Sequence, residues 1–394
     1  MSIVPLYSIL HLFSDGCLIV AGAGCAYLLL AIILSRRFVM ERNPLITEPV
    51  PVTILKPLHG DEPGLLKRLS RFCSQDYAGP VQIVFGCQDC RDQAIGAVQR
   101  LQMAQPELVI DLVIGGPRHG SNQKVSNLIN MAAAARYDVL VIADSDIEVG
   151  PCYLADVIAT LERPGVGAVT CFYHGVARDS LPASFSALTI NAHFLPNVLV
   201  AIGLGLARPC FGATIALRRE MLDKIGSLRA FAHTLADDHA IGVAVRAAGY
   251  EVAIPAFSVG HACHEQTFRE FFGRHLRYAR TIKRINPVGY AGAIVTNPMP
   301  LALFGMLAGN NSLLLLVAAA IACRIALCKS IEETMHLPRQ QRWLLPVTDI
   351  ALFAVFVLSF FGSSVTWRGH HYRVRPDGTL FQDPVEGNGT RSSG

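Results

Sequence analysis

VLVIADSDIEV, residues 139–149, is the stretch on which the reading of this 394-residue chain turns. An apolar run of strand character ends in Asp144, Asp146 and Glu148, three acids at alternate positions. Alternate residues of a strand share a face, so three carboxylates would crowd one side of a sheet, and a positive charge is expected opposite them. The plainer alternative is a buried strand that runs out into a polar turn. The flanking sequence has to separate the two.

Upstream, residues 51–138 alternate strand and helix patterns. VTILKPL (52–58) reads as a strand ending in the turn His59-Gly60-Asp61-Glu62-Pro63-Gly64, and LLKRLSRFCSQ has helical spacing. VQIVFGCQD is a second strand, followed by a helix over 93–103, the strand LVIDLVIG, and the alanine-rich helix KVSNLINMAAAARY before VLVIADSD. Strands separated by helices of this length form right-handed crossovers and a largely parallel sheet. The fold class is therefore α/β.

Ligands of open parallel sheets bind outside the carboxyl ends of the strands. Asp89 and Asp92 follow one strand, and Asp144 and Asp146 follow another, so both groups fall on that edge. No G-x-G-x-x-G or Walker-type loop accompanies them, which argues against a dinucleotide or ATP site. Acids at strand ends without such a loop suit a hard divalent cation, Mg2+ or Mn2+, held by one or two carboxylates together with substrate phosphates. The missing positive charge is then a metal carried on a nucleotide diphosphate.

The composition places this domain at a membrane. Hydrophobic residues make up 52% and charged residues 16%, with a mean hydropathy of +0.38, more apolar than an ordinary soluble enzyme. Residues 17–34 carry no charge and approach the span length. Arg36 and Arg37 follow, and the uncharged start lacks the basic n-region of a signal peptide. An uncleaved anchor over 1–40 is expected, with the following region in the cytoplasm. A second apolar region starts after Arg284 and meets no charge until Arg324. It reads either as one long tilted span or as two segments broken at Asn310 and Asn311, and residues 344–367 form a third run containing only Asp349.

The linker with Arg324, Lys329, Arg339 and Arg342 looks cytoplasmic by charge, yet one span before it would place it outside; a re-entrant or paired segment removes the conflict. Three or four passes follow. The expected organisation is an anchor over 1–40, a cytoplasmic catalytic domain over 51–284, a membrane region over 285–367 and a basic tail over 368–394. The net charge of +4 is small and clustered beside membrane segments, which fits anionic lipid rather than nucleic acid. The 11 cysteines show no zinc spacing beyond Cys87-x-x-Cys90, and His261, Cys263 and His264 do not make a zinc motif.

LADDHAIGVAVRAAGY opens a helix at Asp237 and Asp238, whose N-terminus tolerates negative charge. Either acid could be a helix cap or a general base. Arg274 and Arg277 share one helix face, as a basic stripe at a membrane surface or as partners of a leaving phosphate. Lys124 starts a helix and either reaches a diphosphate or is solvated. The run 194–209 is too interrupted for a clear span and reads as a buried core helix or as an interfacial helix admitting a lipid. A transporter is disfavoured because about 230 residues of α/β pattern separate the apolar regions and no repeated half is visible.

LKPLHGDEPGL, CQDCRDQA, GSNQKVSNLINM, VLVIADSDIEV, FGATIALRRE, LADDHAI, RHLRYARTIKRINP and TWRGHHYRVRPDG occur in an order and spacing that resemble membrane-bound inverting glycosyltransferases of GT-A fold. The resemblance is to the ceramide glucosyltransferase branch (family 2/21-like). HGSNQKVSNLINM and GLARPCFGATIALRR look closest to the bacterial hopanoid-biosynthesis members.

That resemblance implies a UDP-sugar donor, with UDP-N-acetylglucosamine first and UDP-glucose second. It implies a membrane-lipid acceptor, a hopanoid or alternatively ceramide, and a bacterial inner-membrane location. By the same resemblance Asp92, with Asp89, contacts the uridine, and Asp144 and Asp146 hold metal and diphosphate. Asp238 is the base with Asp237 beside it, and Arg274, Arg277 and Tyr278 flank the acceptor and leaving diphosphate. Tyr278 stands where relatives carry tryptophan. A catalytically silent lipid-binding scaffold is the alternative of another class, and intact acids at all three motifs argue against it.

Overall fold

The computed structural model describes residues 4–37, 48–307, 313–362, 364–367, 370–374 and 380–382. The α/β expectation holds. β1 (Val52–Leu58), β2 (Val81–Cys87), β3 (Val109–Ile114) and β4 (Val139–Ile142) are parallel neighbours in a seven-stranded sheet of order β3-β2-β1-β4-β8-β6-β9. β8 (Ile215–Arg218) lies antiparallel between β4 and β6 (Val166–Thr170), and β9 (Glu251–Ala253) closes the edge parallel to β6. β1 is buried along its whole length, as expected for a central strand covered on both faces. One core cluster packs the Leu65–Cys73, Ala94–Ala104 and Tyr153–Leu161 helices on one face, and another packs Gln123–Ala132 and Asp237–Ala247 on the other.

A second sheet sets β10 (Ser258–Cys263) between β5 (Ile147–Glu148), antiparallel, and β7 (Phe172–Ala177), parallel. β4 and β5 are thus separate strands in separate sheets, and the chain between them carries Asp144 and Asp146. The picture of three acids on one strand face is corrected here: the strand stops at Ile142, Asp144 and Asp146 lie in the intervening turn, and Glu148 turns away to pair with Arg178.

Among the described residues, four helices are long and apolar enough to cross a membrane: His11–Arg37, Leu181–Gly203, Leu314–Thr334 and Arg342–Ser359. Pro287–Thr296 and Pro298–Leu307 form a further pair bent by 70°. The most apolar window of Leu181–Gly203 is 72% buried inside the protein against 28% for that of His11–Arg37; the 194–209 run divides, with Leu195 and Leu199 buried and Leu204 and Leu206 exposed.

The first helix and Leu313–Thr334 run side by side in one direction. Ala21 clusters with Ala302 and Ala320, Leu28 and Ala31 with Leu327 and Ile331, and Ser35 Oγ meets Ser330 Oγ at 3.1 Å. Pro298–Leu307 runs the other way, since Gly24 abuts Val295 and Pro298 while Ser14 Oγ donates to Gly305 O at 3.3 Å. A side chain at Gly24 would place its Cβ 2.5 Å from Val295 O, so the close approach at the bend requires glycine.

The Ser35–Ser330 contact therefore sets the C-terminal turns of these two helices side by side. Arg324 and Lys329 are not in a loop as the charge pattern suggested; both belong to Leu313–Thr334. Arg324 is 1% exposed, with Nε 3.3 Å from Asp349 Oδ2 and bonds to Ala192 O and Thr296 O.

The third apolar run is helical only over Leu345–Ser359. Ser364–Trp367, inside the expected membrane region, instead pairs antiparallel with His370–Val374, which pairs with Leu380–Gln382. Asn310, Asn311 and residues 383–394 of the basic tail lie outside the described residues.

Candidate active site

The site forms at the carboxyl ends of β1, β2 and β4, where the strand order reverses around β1. Asp144 is the first acid past β4. Lys124, at the start of the Gln123–Ala132 helix, reaches across to place Nζ 2.8 Å from Asp144 Oδ1 and 3.5 Å from Asp237 Oδ2. It is not a solvated helix-start lysine, being 9% exposed. Burial alone would discharge it, but Asp144 and Asp237 win and raise its pKa above the ordinary lysine value. Asn122 caps the same helix, accepting from Val125 N at 3.1 Å, and donates to Thr234 O at 2.7 Å and Asp237 Oδ1 at 3.3 Å. Both walls of the site are thereby tied together.

Asp237 and Asp238 begin the Asp237–Ala247 helix but face different partners. Asp237 is buried against Lys124 and Asn122. Asp238 accepts two backbone bonds, from Gly212 N to Oδ2 and from His239 N to Oδ1, each 2.8 Å. Burial, joined by the adjacent Asp237 charge, pushes its pKa up from 3.8 to about 6, against the lowering pull of Lys124 and the two N–H groups.

Gly212 stands at the centre of this arrangement. A Cβ on it would lie 3.2 Å from Asp144 Oδ2, 3.2 Å from Lys124 Nζ and 3.4 Å from Asp238 Oδ2. The lack of a side chain leaves open the space on which the carboxylates and the ammonium converge. Thr170, at the end of β6, holds the segment: its Oγ1 accepts from Phe211 N at 2.8 Å and donates to Phe211 O at 3.0 Å.

Beneath the Asp144–Asp146 turn lie two buried cations that sequence reasoning did not select. Lys56, in mid-β1 and fully buried, donates to Asp144 O at 2.6 Å and sits 3.8 Å over the Phe72 ring. Burial lowers its pKa to about 7 despite the opposing Asp146 and Asp144. Arg68 donates to Ser145 O at 3.3 Å, to Pro63 O at 2.6 Å and to Glu62 at 2.8 Å. A lysine inside the apolar run VTILKPL was the signal available.

Asp146 faces the second sheet. His261 Nδ1 lies 3.6 Å from its Oδ2, and His261 Nε2 lies 3.4 Å from Arg274 Nη1. Burial would raise the Asp146 pKa, but His261, Arg274 and Lys56 together hold it below the ordinary value. Asp144 has the opposite fate: burial raises it and Asp146 adds to the rise, against Lys124.

Arg274 also bonds Glu265 through Nε at 3.0 Å, and Arg277 lies 4.9 Å from the ring of Tyr278, which is 40% exposed. Arg274 thus reaches Asp146 through His261, whereas Arg277 packs on Tyr278 along the Phe268–Ile285 helix.

The first acidic pair splits. Asp92 is 3% exposed at its side chain, accepts from Gly60 N at 2.9 Å and from Ala94 N at 2.9 Å, and lies 3.5 Å from His59. It locks the loop after β1 to the loop after β2. Asp89 is 60% exposed and pairs with Arg91, away from the cluster.

A divalent cation fits the Asp144–Asp146 turn by the chemistry of its donors. Two hard carboxylates are set close enough for one to raise the pKa of the other, and such a pair suits Mg2+ or Mn2+ completed by phosphate oxygens. Among the described residues no group of three or more His, Cys, Asp or Glu forms a closed metal site.

Known proteins extend the comparison. Ceramide glucosyltransferase 1 of Caenorhabditis elegans is 26% identical over 274 residues, 68% of this chain and 58% of that protein. Ceramide glucosyltransferase 3 of the same organism is 23% identical over 231 residues, 58% of this chain and 50% of that protein. The chain thus spans a little over half the length of the curated relatives it matches. Among solved structures, the mannosyltransferase PcManGT from Pyrobaculum calidifontis, in complex with GDP-Man and Mn2+, superposes with a TM-score of 0.50 at 21% identity, covering 89% of this chain and 99% of that one, and shares the fold. The family model described as glycosyl transferase family 21 matches residues 16–380, and the chain belongs to that family.

Proposed function

We propose that this chain transfers a sugar, with inversion at the anomeric carbon, from a UDP-sugar to a hydroxyl of a membrane lipid. The observation that carries the reading is Asp238, a partly buried carboxylate anchored by two backbone N–H groups and poised near pH 6 beside an acid–lysine cluster. Such a carboxylate is matched to remove a proton from an acceptor near neutral pH. In the step proposed, the acceptor O–H gives its proton to Asp238, the oxygen bonds to the anomeric carbon, and the bond from that carbon to the diphosphate breaks. UDP leaves with the bonding pair.

The protein's own groups divide the labour. Lys124 and Arg274 supply positive charge on either side of the leaving diphosphate, where stabilisation of developing charge contributes most. Asp237 keeps Lys124 charged and directed across the site. Asp92 shapes the floor of the nucleoside pocket through Gly60 N, and Lys56 and Arg68 fix the backbone of the turn. Bound by Asp144 and Asp146, Mg2+ or Mn2+ would neutralise the diphosphate as it leaves. The Asp89 carboxylate, exposed and paired with Arg91, is assigned no contact with the donor.

The acceptor favoured by the HGSNQKVSNLINM and GLARPCFGATIALRR segments is a hopanoid, with UDP-N-acetylglucosamine as donor, at the cytoplasmic face of a bacterial inner membrane. Ceramide with UDP-glucose is the second reading, favoured by the names of the relatives matched. The test is radiolabel transfer in membranes, offering each UDP-sugar against a hopanoid polyol and against ceramide, with and without EDTA. A product that EDTA abolishes from one donor–acceptor pair supports the reading and names the substrates. UDP binding without turnover on any lipid would instead mark a silent scaffold.

A further inference from the structure

Between Asp238 and the membrane helices lies an aromatic wall that none of the roles above uses. Tyr173, on β7, stacks on Phe194 with ring centroids 4.9 Å apart and planes 26° apart, and meets Phe211 edge-on at 5.7 Å. Phe194 and Phe211 close the triangle at 5.7 Å, and His261 lies 5.7 Å from Tyr173. All three wall residues are only partly buried. Phe211 is the neighbour of Gly212, whose N–H holds the base, so the wall begins at the reacting centre.

Its other end is continuous with the membrane helices. Phe194 ends the π-turn Ile190–Phe194 and leads into Leu195–Gly203, where Leu195 and Leu199 pack with Leu28 and Ala31 of the first helix. π-turns within helices recur at functional sites, and this one is clamped in place. Asn191 accepts from Gly175 N at 2.8 Å and donates to Gly175 O at 2.9 Å, fastening the turn to β7 two residues beyond Tyr173.

The Tyr173 hydroxyl has no hydrogen-bond partner among the described residues, although Asp238, Asp146 and Tyr278 are all within electrostatic reach of it. Burial, reinforced by those groups, raises its pKa well above the ordinary value, so it remains a donor at any working pH. A half-buried phenol normally finds a partner. This one is not enclosed, and the groups within its electrostatic reach set it beside Asp238.

We infer that Tyr173, Phe194 and Phe211 form the acceptor-lipid platform: the Tyr173 hydroxyl bonds the polar end of the lipid beside Asp238, and the apolar body leaves past Phe194 along Leu195–Gly203. The occupant is a membrane lipid with a hydroxylated end, argued from the continuity between the unpartnered phenol and the membrane-length helices. The inference rests on the proposed transfer reaction and assigns its acceptor site.

Two readouts separate it from that reaction. Fluorescently labelled ceramide and a labelled hopanoid polyol in detergent micelles report lipid binding without turnover, and equilibrium dialysis reports UDP binding. Tyr173→Phe removes only an unpartnered hydroxyl, so melting temperature and UDP affinity stay at wild-type values. Binding of the lipid that wild type retains weakens about fivefold, and Phe194→Leu weakens it about tenfold. Where transfer is measurable, the acceptor KM rises in step and the donor KM does not.

Lipid affinity unchanged in both variants, or no binding of either lipid by the wild-type protein, overturns the platform. Lipid binding that both variants weaken, in a protein that transfers no sugar, leaves the platform standing and removes the transferase reading.

Discussion

Asp238→Asn separates the chemistry of the base from its structural duties. Raising a carboxyl pKa from 3.8 to about 6 means that ionising Asp238 in the folded protein costs about 3 kcal/mol at neutral pH. The sign follows from proton counting: between pH 3.8 and 6 the folded state holds the proton and the unfolded state does not. This group's contribution to stability therefore falls as pH rises through that window, reaching its full penalty above 6. An amide removes the penalty. It also satisfies only one of the two N–H groups now bound by the carboxylate, from Gly212 and His239, at a cost of about 1–3 kcal/mol. The terms nearly cancel, and the variant should melt close to wild type.

Transfer should nevertheless fall by about 100-fold to 10,000-fold, the usual worth of a positioned general base, while UDP-sugar affinity changes little. In wild type, kcat/KM for the acceptor should drop about tenfold per pH unit below pH 6, and residual activity in the variant should lose that limb. The assay is initial-rate transfer across pH 4.5–8 (about that range suffices to bracket the shifted carboxyl), with donor affinity and melting temperature measured on the same preparations. A collapse of donor binding, or an acid limb that persists in the variant, refutes Asp238 as the base.

Gly212→Ala should fold normally, because the added Cβ meets side-chain ends at 3.2–3.4 Å rather than backbone, yet the donor KM should rise about tenfold as the open space is filled; an unchanged donor KM would show that no ligand enters there. Thr170→Val keeps shape but strands Phe211 N–H, so unfolding free energy should fall by about 1–3 kcal/mol, with kcat reduced more than donor affinity. Arg324→Leu leaves Asp349 with only His193 Nε2, at 2.8 Å, and should cost about 3–5 kcal/mol, whereas Arg324→Leu with Asp349→Asn, which removes the uncompensated charge but keeps a partner for His193, should recover part of that loss; thermal melting of the single and double variants decides.

Much of the fold was legible because its signals are local. β1 to β4 and the helices between them followed from periodicity, and the acids fell at the carboxyl ends because a parallel sheet puts them there. What was not legible depends on contacts distant in sequence. Glu148 keeps the strand alternation of the sequence, but only the second sheet, with Arg178 beside it, shows that it leaves the cluster. Arg324 looked like a loop cation because charge is rare in apolar helices, and its partner Asp349 lies 25 residues on, in another apolar run. Lys124 could be weighed only as solvated or reaching, since the two acids that enclose it come from other elements.

Gly212 shows how the two halves of the chain meet at one edge of the seven-stranded sheet. Asp144 and Lys124 reach this glycine from the end of β4 and the start of the Gln123–Ala132 helix, while Asp238 reaches it from the start of Asp237–Ala247, on the same face of the sheet but about a hundred residues further along the chain. β8 supplies the geometry: it inserts antiparallel beside β4, so the segment entering it from Phe211 and Gly212 arrives at the same sheet edge where the parallel strands end. The reversal of one strand thus brings an N–H donor for the base and an aromatic from the membrane-facing side to the carboxyl end of β4. In the proposed reaction, a lipid acceptor and a water-soluble donor would meet there without either crossing the sheet.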